Sequence, residues 1–305
     1  MQLEIHVRSD VGRVRKGNED NFLLLNLDSA RFEIGGKPIV SASFALVELK
    51  EAGIVLAVSD GMGGALAGEV ASQMAVETVR DVLLGNDPDI TLDSEKNDSL
   101  IQRLHEATIH ANRAVYRKGR SDAQFNGMGA TFTGVAIAAE TVDFMQVGDS
   151  RAYVIRGDQI QQVTKDQSLV QQLIDSGQIA PEEAEKHHLR NVILQALGAQ
   201  SEILPVGARF KPYNDDILLL CSDGLSNKLS KEDMLVYVQQ NKDDLAQACT
   251  ELVREANARG GEDNITVIVA KLIGDDLPEN GSTSITVSPI ISNEFVDGDI
   301  TLLHK

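Results

Sequence analysis

Two cysteines in 305 residues, Cys221 and Cys249, are too few for a disulfide framework, and neither belongs to a CxxC or Cys/His pairing that would hold zinc. Positive charge is scarce too: 28 Lys and Arg stand against 46 Asp and Glu, a formal net charge of -18. Nucleic acid and anionic membranes call for a basic surface, so both are disfavoured as the main partner. A locally cationic pocket is still allowed. The opening MQLEIHVRSD has no signal-peptide core, and no apolar run reaches the ~18 residues of a membrane span. A cytoplasmic chain with no membrane attachment is the expectation. Familiar catalytic signatures are missing as well. There is no GxSxG elbow, no GxxxxGK[ST] loop and no EF-hand spacing, and neither cysteine has an evident base partner.

What the chain does have is a series of apolar, often β-branched runs at 22–27, 44–49, 53–59, 131–137, 141–147, 151–156, 216–222 and 264–272. DSRAYVIRGDQIQQVT reads as a hairpin turning at Gly157-Asp158. Helical periodicity fits 66–84, with Val70, Met74 and Leu83 on one rough stripe, and also 99–117, 167–176, 231–239 and 243–257. Two helices fall between the third and fourth strands and two more between the last pair; elsewhere strands mostly follow strands. That order argues against a βαβ repeat and for an α+β fold, antiparallel sheets with helices packed outside them. From Gly274 the composition turns polar and turn-rich, so the expected organisation is a domain over 1–273 and a linker with a tail over 274–305. For the tail, docking, edge pairing and independence all stay open.

Aspartates stand at the ends of these runs. GIVLAVSDG ends on Asp60, DFMQVGDS on Asp149 and DILLLCSDG on Asp223; Asp263 precedes NITVIVA, and Asp20 closes GNED with Glu19 beside it. One Asp-Gly at a strand end is an ordinary turn. Five acidic sites flanking strands are harder to assign to turns. If the strands share sheets the carboxylates converge, and converging anions raise one another's pKa unless a cation lies between them. An all-oxygen donor set points to Mg²⁺ or Mn²⁺. Gly61 is then placed to offer a backbone carbonyl, while Gly63 and Gly64 supply turn dihedrals. Metal-activated water is the best nucleophile this sequence offers. An anionic phosphate nearing such a site needs a cation, and Arg15 or Arg13 in GRVRKGNED supplies one; spacing alone does not choose between them.

At this point a resemblance becomes specific. SDVGRVRKGNEDNF, SDGMGGALAGEVAS, GMGATFTGVAI, VGDSRAYVIR, TKDQSLVQQLIDSGQI, HHLRNVILQALG, CSDGLSNKLS and GGEDNITVIVA occur in the order of the PP2C-like, or PPM, metal-dependent protein phosphatases, most like their bacterial serine/threonine branch. The likeness runs from about residue 3 to residue 272. It implies a four-layer α/β/β/α sandwich with a site for two Mn²⁺ or Mg²⁺ ions at one end. It further implies that Asp60 bridges the ions, that Gly61 lends its carbonyl, and that Asp223 and Asp263 are direct ligands. Asp20 with Glu19 is similar to the acidic pair that acts partly through water. Arg15 resembles the phosphate-binding arginine, Asp149 the support of a weaker third ion, and Asn264 the residue that orders the Asp263 loop.

The chain also departs from the pattern. Ala65 stands where relatives often have histidine, Asn227 where a third-ion aspartate is common, and Gln167 replaces the histidine of a DHS motif. With Met62 beside Gly61, no general-acid histidine is evident. Residues 165–198 resemble the family's flap; within it His187 and His188 read as surface residues, and Arg190 with Asn191 as anchors. Segment 28–43 lengthens the early hairpin region, as an access-shaping or merely decorative loop. The implied activity is hydrolysis of phosphoserine and phosphothreonine, with phosphorylated proteins and a cognate Ser/Thr kinase or its substrates as partners of a monomeric enzyme. An inactive binding or sensing module and a small-molecule phosphatase are the rival readings.

Overall fold

The computed structural model describes residues 1–35, 39–86, 99–138, 141–184, 187–279 and 284–290. The chain opens with β1 (Gln2–Asp10), β2 (Asp20–Asn26), β3 (Arg31–Ile34), β4 (Ile39–Glu48) and β5 (Ile54–Met62), then α1 (Ala65–Leu83) and α2 (Leu100–Ser121). Next come β6 (Gly129–Ala130), β7 (Phe132–Ile137), β8 (Val142–Val147), β9 (Arg151–Arg156) and β10 (Gln159–Gln162), followed by α3 (Leu169–Asp175) and α4 (Pro181–Ala184). The last part holds β11 (Val206–Phe210), β12 (Ile217–Cys221), α5 (Asp223–Ser226), α6 (Lys231–Gln240), α7 (Leu245–Ala258), β13 (Ile265–Ile273) and β14 (Val287–Ile290).

The strands form two sheets, one ordered β10-β9-β12-β13-β1-β4 and the other β14-β11-β8-β7-β5-β2-β3, with β6 added on β5; the pairings are antiparallel. Leu3, Ile5 and Val7 alternate inward along β1 and meet Phe22, Leu24, Leu56, Val58, Leu218 and Leu220 in a core between the sheets. On the outer face of the second sheet, Leu23, Leu25, Val55 and Ala57 pack under Val76, Val79 and Leu104 of α1 and α2. On the outer face of the first, Leu219, Val267 and Val269 pack under Met234, Val238, Leu252 and Val253 of α6 and α7. The result is the α/β/β/α sandwich. Central strands buried on both faces, such as β2, read as continuous apolar runs.

The expected strands and helices are found within a few residues. β1, β3, β6 and β11 were not among the expected strands; β1 carries a clear two-residue alternation, while β11 (VGARF) carries glycine and arginine. The expected stripe on α1 divides: Val70 and Met74 lie half-buried against Met128 and Val115, whereas Leu83 joins the larger helix–sheet core. Of segment 28–43, residues 31–34 pair with β2 and 39–43 begin β4, while 36–38 lie outside the described residues. After β13, Leu277 is buried in the inter-sheet core, Arg156 donates to the Ser284 carbonyl at 3.0 Å, and β14 pairs along β11 as an edge strand. Residues 291–305 lie outside the described residues. Among the described residues no helix is long and apolar enough to cross a membrane.

Candidate metal centre

Antiparallel pairing carries the acidic residues to one end of the sandwich. In the second sheet Asp20, the first residue of β2, lies directly opposite Asp60 of β5. In the first sheet, β12 ends against Val267 so that Asp223 follows at the same end, and Asp263 lies just before β13. Asp149 follows β8 in the turn to β9. The loop from β1 to β2, which carries Arg15, closes over this end because Asp10 pairs with Ile265.

Buried hydroxyls fix these positions. Ser222 Oγ donates to Asp20 Oδ2 at 2.7 Å and so ties the two sheets together, while Thr266 N donates to Ser222 Oγ at 2.9 Å. Asp60 N donates to Thr131 Oγ1 at 2.9 Å, and that hydroxyl lies 2.6 Å from Ser150 Oγ, next to Asp149. Sequence reading passed over Ser222, Thr131, Ser150 and Thr266. A signal existed for two of them: serine precedes or follows the aspartate in CSDG and GDS. Asn264 holds the neighbouring loops, accepting from Glu19 N at 2.8 Å and donating to the carbonyls of Val11 and Gly17 at 2.9 and 3.0 Å.

Arg15 Nη2 donates to Asp263 Oδ2 at 2.8 Å, and its Nη1 lies 3.7 Å from Glu19 Oε1. Arg13 instead turns its Nε to the carbonyl of Asn257, 2.9 Å away. The geometry thus places Arg15, not Arg13, against the carboxylates. Gly61 N bonds the Glu19 carbonyl at 3.1 Å, and a Cβ on Gly61 would lie 2.1 Å from the Gly68 carbonyl oxygen. Only glycine lets β5 approach α1 this closely.

The electrostatics follow from burial and mutual repulsion. Burial, helped by the charges of Asp223 and Asp263, pushes Asp20 up to about 7 against the pull of Ser222. Burial and Asp263 push Asp223 up to about 6; burial with Asp223 and Asp166 pushes Asp149 up to about 7 although Arg151 opposes. Asp60 is held well above the usual carboxylate range by burial and then by Asp20, Asp223, Asp149 and Asp263. Burial also raises Glu19. Desolvation pulls Arg15 down, but its bond to Asp263 and the surrounding charges raise it overall.

Asp20 Oδ1 and Asp223 Oδ1 are buried acceptors without a hydrogen-bond donor. An ionised carboxylate oxygen offers only lone pairs, so a hard divalent cation fits these two donorless oxygens. Among the described residues, however, no three acidic, His or Cys side chains form a ready-made cage. Two of the carboxylate oxygens are held by donors: Arg15 Nη2 donates to Asp263 Oδ2, and Asn227 Nδ2 donates to Asp223 Oδ2 at 3.1 Å.

The excursion that follows β10 leaves and rejoins beside Asp149. Gln167 N donates to the Gly148 carbonyl at 2.9 Å, Gly148 N donates back to Gln167 Oε1 at 2.7 Å, and Leu194 N bonds the Gln167 carbonyl. Neither α3 nor α4 buries a residue. His187 and His188 stack on each other with ring centroids 4.6 Å apart, and Arg190 and Asn191 are exposed. Met128 is core, and Met62 is half-buried. Cavities of about 460 and 560 Å³ lie elsewhere, beside β11 and between β10 and α6, and none of the five aspartates lines either.

Residues 43–268 match the family model for protein phosphatase 2C. The chain is 34% identical over 265 residues to the serine/threonine phosphatase stp of Listeria innocua, covering 87% of this chain and 94% of that protein. It superposes on the Mycobacterium tuberculosis serine/threonine phosphatase PstP with a TM-score of 0.71 at 33% identity, covering 90% of this chain and 100% of that one. A second structure, the catalytic domain of PstP in complex with two manganese ions, aligns with a TM-score of 0.69 at 32% identity over 90% and 99% of the two chains.

Proposed function

The chain belongs to the protein phosphatase 2C family, and from that membership we propose which residues carry its metal-dependent hydrolysis of phosphoserine and phosphothreonine. Asp60, Asp20, Asp223 and Asp263, with the Gly61 carbonyl, would hold two Mn²⁺ or Mg²⁺ ions. Bound there, the ions neutralise the carboxylates, acidify a water and polarise the phosphoryl group. The observation that carries this assignment is the pair of buried, donorless oxygens on Asp20, in β2 of one sheet, and Asp223, just after β12 of the other, beside the Asp20–Asp60 pair.

The chain's own residues do the rest. Arg15 presents a planar fork to two phosphoryl oxygens, and the nearby acidic oxygens of Asp263 and Glu19 keep it aimed when no phosphate is present. The Ser222 and Thr131 hydroxyls fix Asp20 and the Asp60 backbone, so little reorganisation remains when charge develops. Asn264 sets the Asp263 loop against Glu19. Asp149 is the place for a weaker third ion, and phosphorylated proteins of a Ser/Thr kinase circuit are the proposed partners of a cytoplasmic monomer.

The test is hydrolysis of p-nitrophenyl phosphate and a phosphothreonine peptide with Mn²⁺, Mg²⁺ or EDTA, next to Asp60→Asn. The expected result is metal-dependent turnover that the substitution lowers by at least ~100-fold, in line with losing a main electrostatic contributor. A folded wild-type chain that binds Mn²⁺ in calorimetry yet turns over neither substrate would count against it.

A further inference from the structure

The loop that carries Arg15 is fixed far more firmly than its exposure requires. Arg13 N bonds the Gly261 carbonyl at 2.7 Å, and Arg13 Nε bonds the Asn257 carbonyl at 2.9 Å. Asn264 grips the loop at Val11 and Gly17, and Gly12 packs so tightly that a Cβ there would lie 2.2 Å from the Asp263 carbonyl oxygen. On this rigid backbone Val14 is 64% exposed, although it is apolar. Lys16 is exposed and makes no ion pair or hydrogen bond among the described residues. Other cations of the molecule differ: Arg15, next to it in the chain, faces Asp263, Lys228 faces Glu262 and Arg259 faces Asp233.

Resting on the phosphatase reading above, we propose that Val14 and Lys16 form a docking lip for the peptide that flanks the phosphorylated residue, and that the lip selects substrates with an acidic neighbour. Residues adjacent to Arg15 lie within one Cα–Cα step of it, about 3.8 Å. Val14 and Lys16 thus flank Arg15 on the same pinned loop, and both are exposed where a peptide with its phosphate on Arg15 would meet them. A pinned loop loses little freedom on binding, so an exposed apolar contact and one unpaired cation act at full strength. The rest of the molecule sharpens the effect, because a chain of net charge -18 repels acidic peptides except where such a cation stands. A free small metabolite would have no flanking residue to reach either side chain.

The experiment uses phosphothreonine peptides that differ only in the residue next to the phosphothreonine, Glu or Lys, first on its N-terminal and then on its C-terminal side. Rates with Mn²⁺ are read relative to p-nitrophenyl phosphate for each protein. The wild type is expected to favour the Glu peptide on one side by about fivefold in kcat/KM, through KM, as for one exposed ion pair. That preference should fade at about 0.5 M salt. Lys16→Glu should reverse it, and Val14→Ser should raise KM for both peptides without changing their ratio. Fluorescence anisotropy with labelled, non-hydrolysable phosphonate versions of the peptides should give the same order of affinities. Equal ratios for wild type and Lys16→Glu would overturn the lip while leaving the phosphatase reading intact. Failure of the wild type on every substrate would remove that reading, and the lip with it.

Discussion

Asn227 shows how one atom sets the balance between an ordered site and a metal-hungry one. Its Nδ2 donates to Asp223 Oδ2 at 3.1 Å and relieves a carboxylate that burial and Asp263 already push upward. Asn227→Asp removes the donor and adds an anion at an exposed position beside Asp223. Without metal this is a like-charge contact; with a divalent ion it is one more ligand. The substitution should raise Mn²⁺ affinity by roughly tenfold in calorimetry. In EDTA at pH 8 it should lower the melting temperature by about 1–3 °C, the scale of one exposed charge contact. Unchanged Mn²⁺ affinity would show that position 227 does not face an ion. The residue scale was largely legible: Asp20, Asp60, Asp149, Asp223 and Asp263 stand out because carboxylates at the ends of apolar runs are costly unless they have a task. The hydroxyls beneath them were not legible, because a serine in a strand looks the same whether it faces solvent or braces a buried carboxylate.

Elements meet at this site through glycine. At Gly61 and Gly68 the backbones of β5 and α1 come into direct contact, and the two positions make opposite demands. A Cβ on Gly61 would meet backbone atoms, the Gly68 carbonyl oxygen at 2.1 Å and the Glu19 carbonyl oxygen at 2.8 Å. One on Gly68 would meet chiefly the movable Glu19 Oε2, at 2.0 Å. Gly61→Ala should therefore separate strand from helix and destabilise by about 1–3 kcal/mol, the usual scale of overpacking. Gly68→Ala gains helix propensity of about 1 kcal/mol and displaces chiefly the Glu19 carboxylate, with the Gly61 backbone carbon in tight contact at 3.0 Å. Chemical denaturation should show a clear loss for the first and little or none for the second, while both lose activity. Equal stability losses would mean that α1 cannot yield at position 68. Helix and strand periods gave most elements within a few residues, since α2 and α7 each keep one apolar face. β11 escaped because a five-residue strand containing glycine and arginine has no period to detect, and its place is set by pairing with β8 and β14. The inter-sheet register, and with it the convergence of the aspartates, is a tertiary fact that spacing only hinted at.

For the whole molecule, the acidic end couples folding to pH and to metal. Asp20 and Asp149 lie near 7 and Asp223 near 6, with Asp60 raised as well, against about 3.9 for an ordinary aspartate in an unfolded chain. Between about pH 4 and pH 7, then, the metal-free fold retains protons that the unfolded chain has released. A state that binds more protons is favoured at low pH, so the contribution of these groups to stability is full below about pH 4, falls through that window, and levels off above it. Because the carboxylates titrate as a coupled set, their shifts do not add; a single unit on one of them is already worth about 1.4 kcal/mol. The net charge of -18 acts in the same direction, since every further ionisation adds self-repulsion. Calorimetric melting in EDTA should therefore give a melting temperature several degrees lower at pH 8 than at pH 5.5, on the scale of a few degrees per kcal/mol. Divalent cations bind the ionised carboxylates and oppose the same repulsion, so the rise in melting temperature on adding Mn²⁺ should be larger at pH 8 than at pH 5.5. In Asp60→Asn one member of the set can no longer ionise. Its EDTA melting curve should depend less on pH than that of the wild type, and it should gain less from Mn²⁺. A wild-type curve flat in EDTA from pH 5.5 to 8 would mean that the carboxylates have spread apart in solution, and Mn²⁺ would then have little repulsion to relieve.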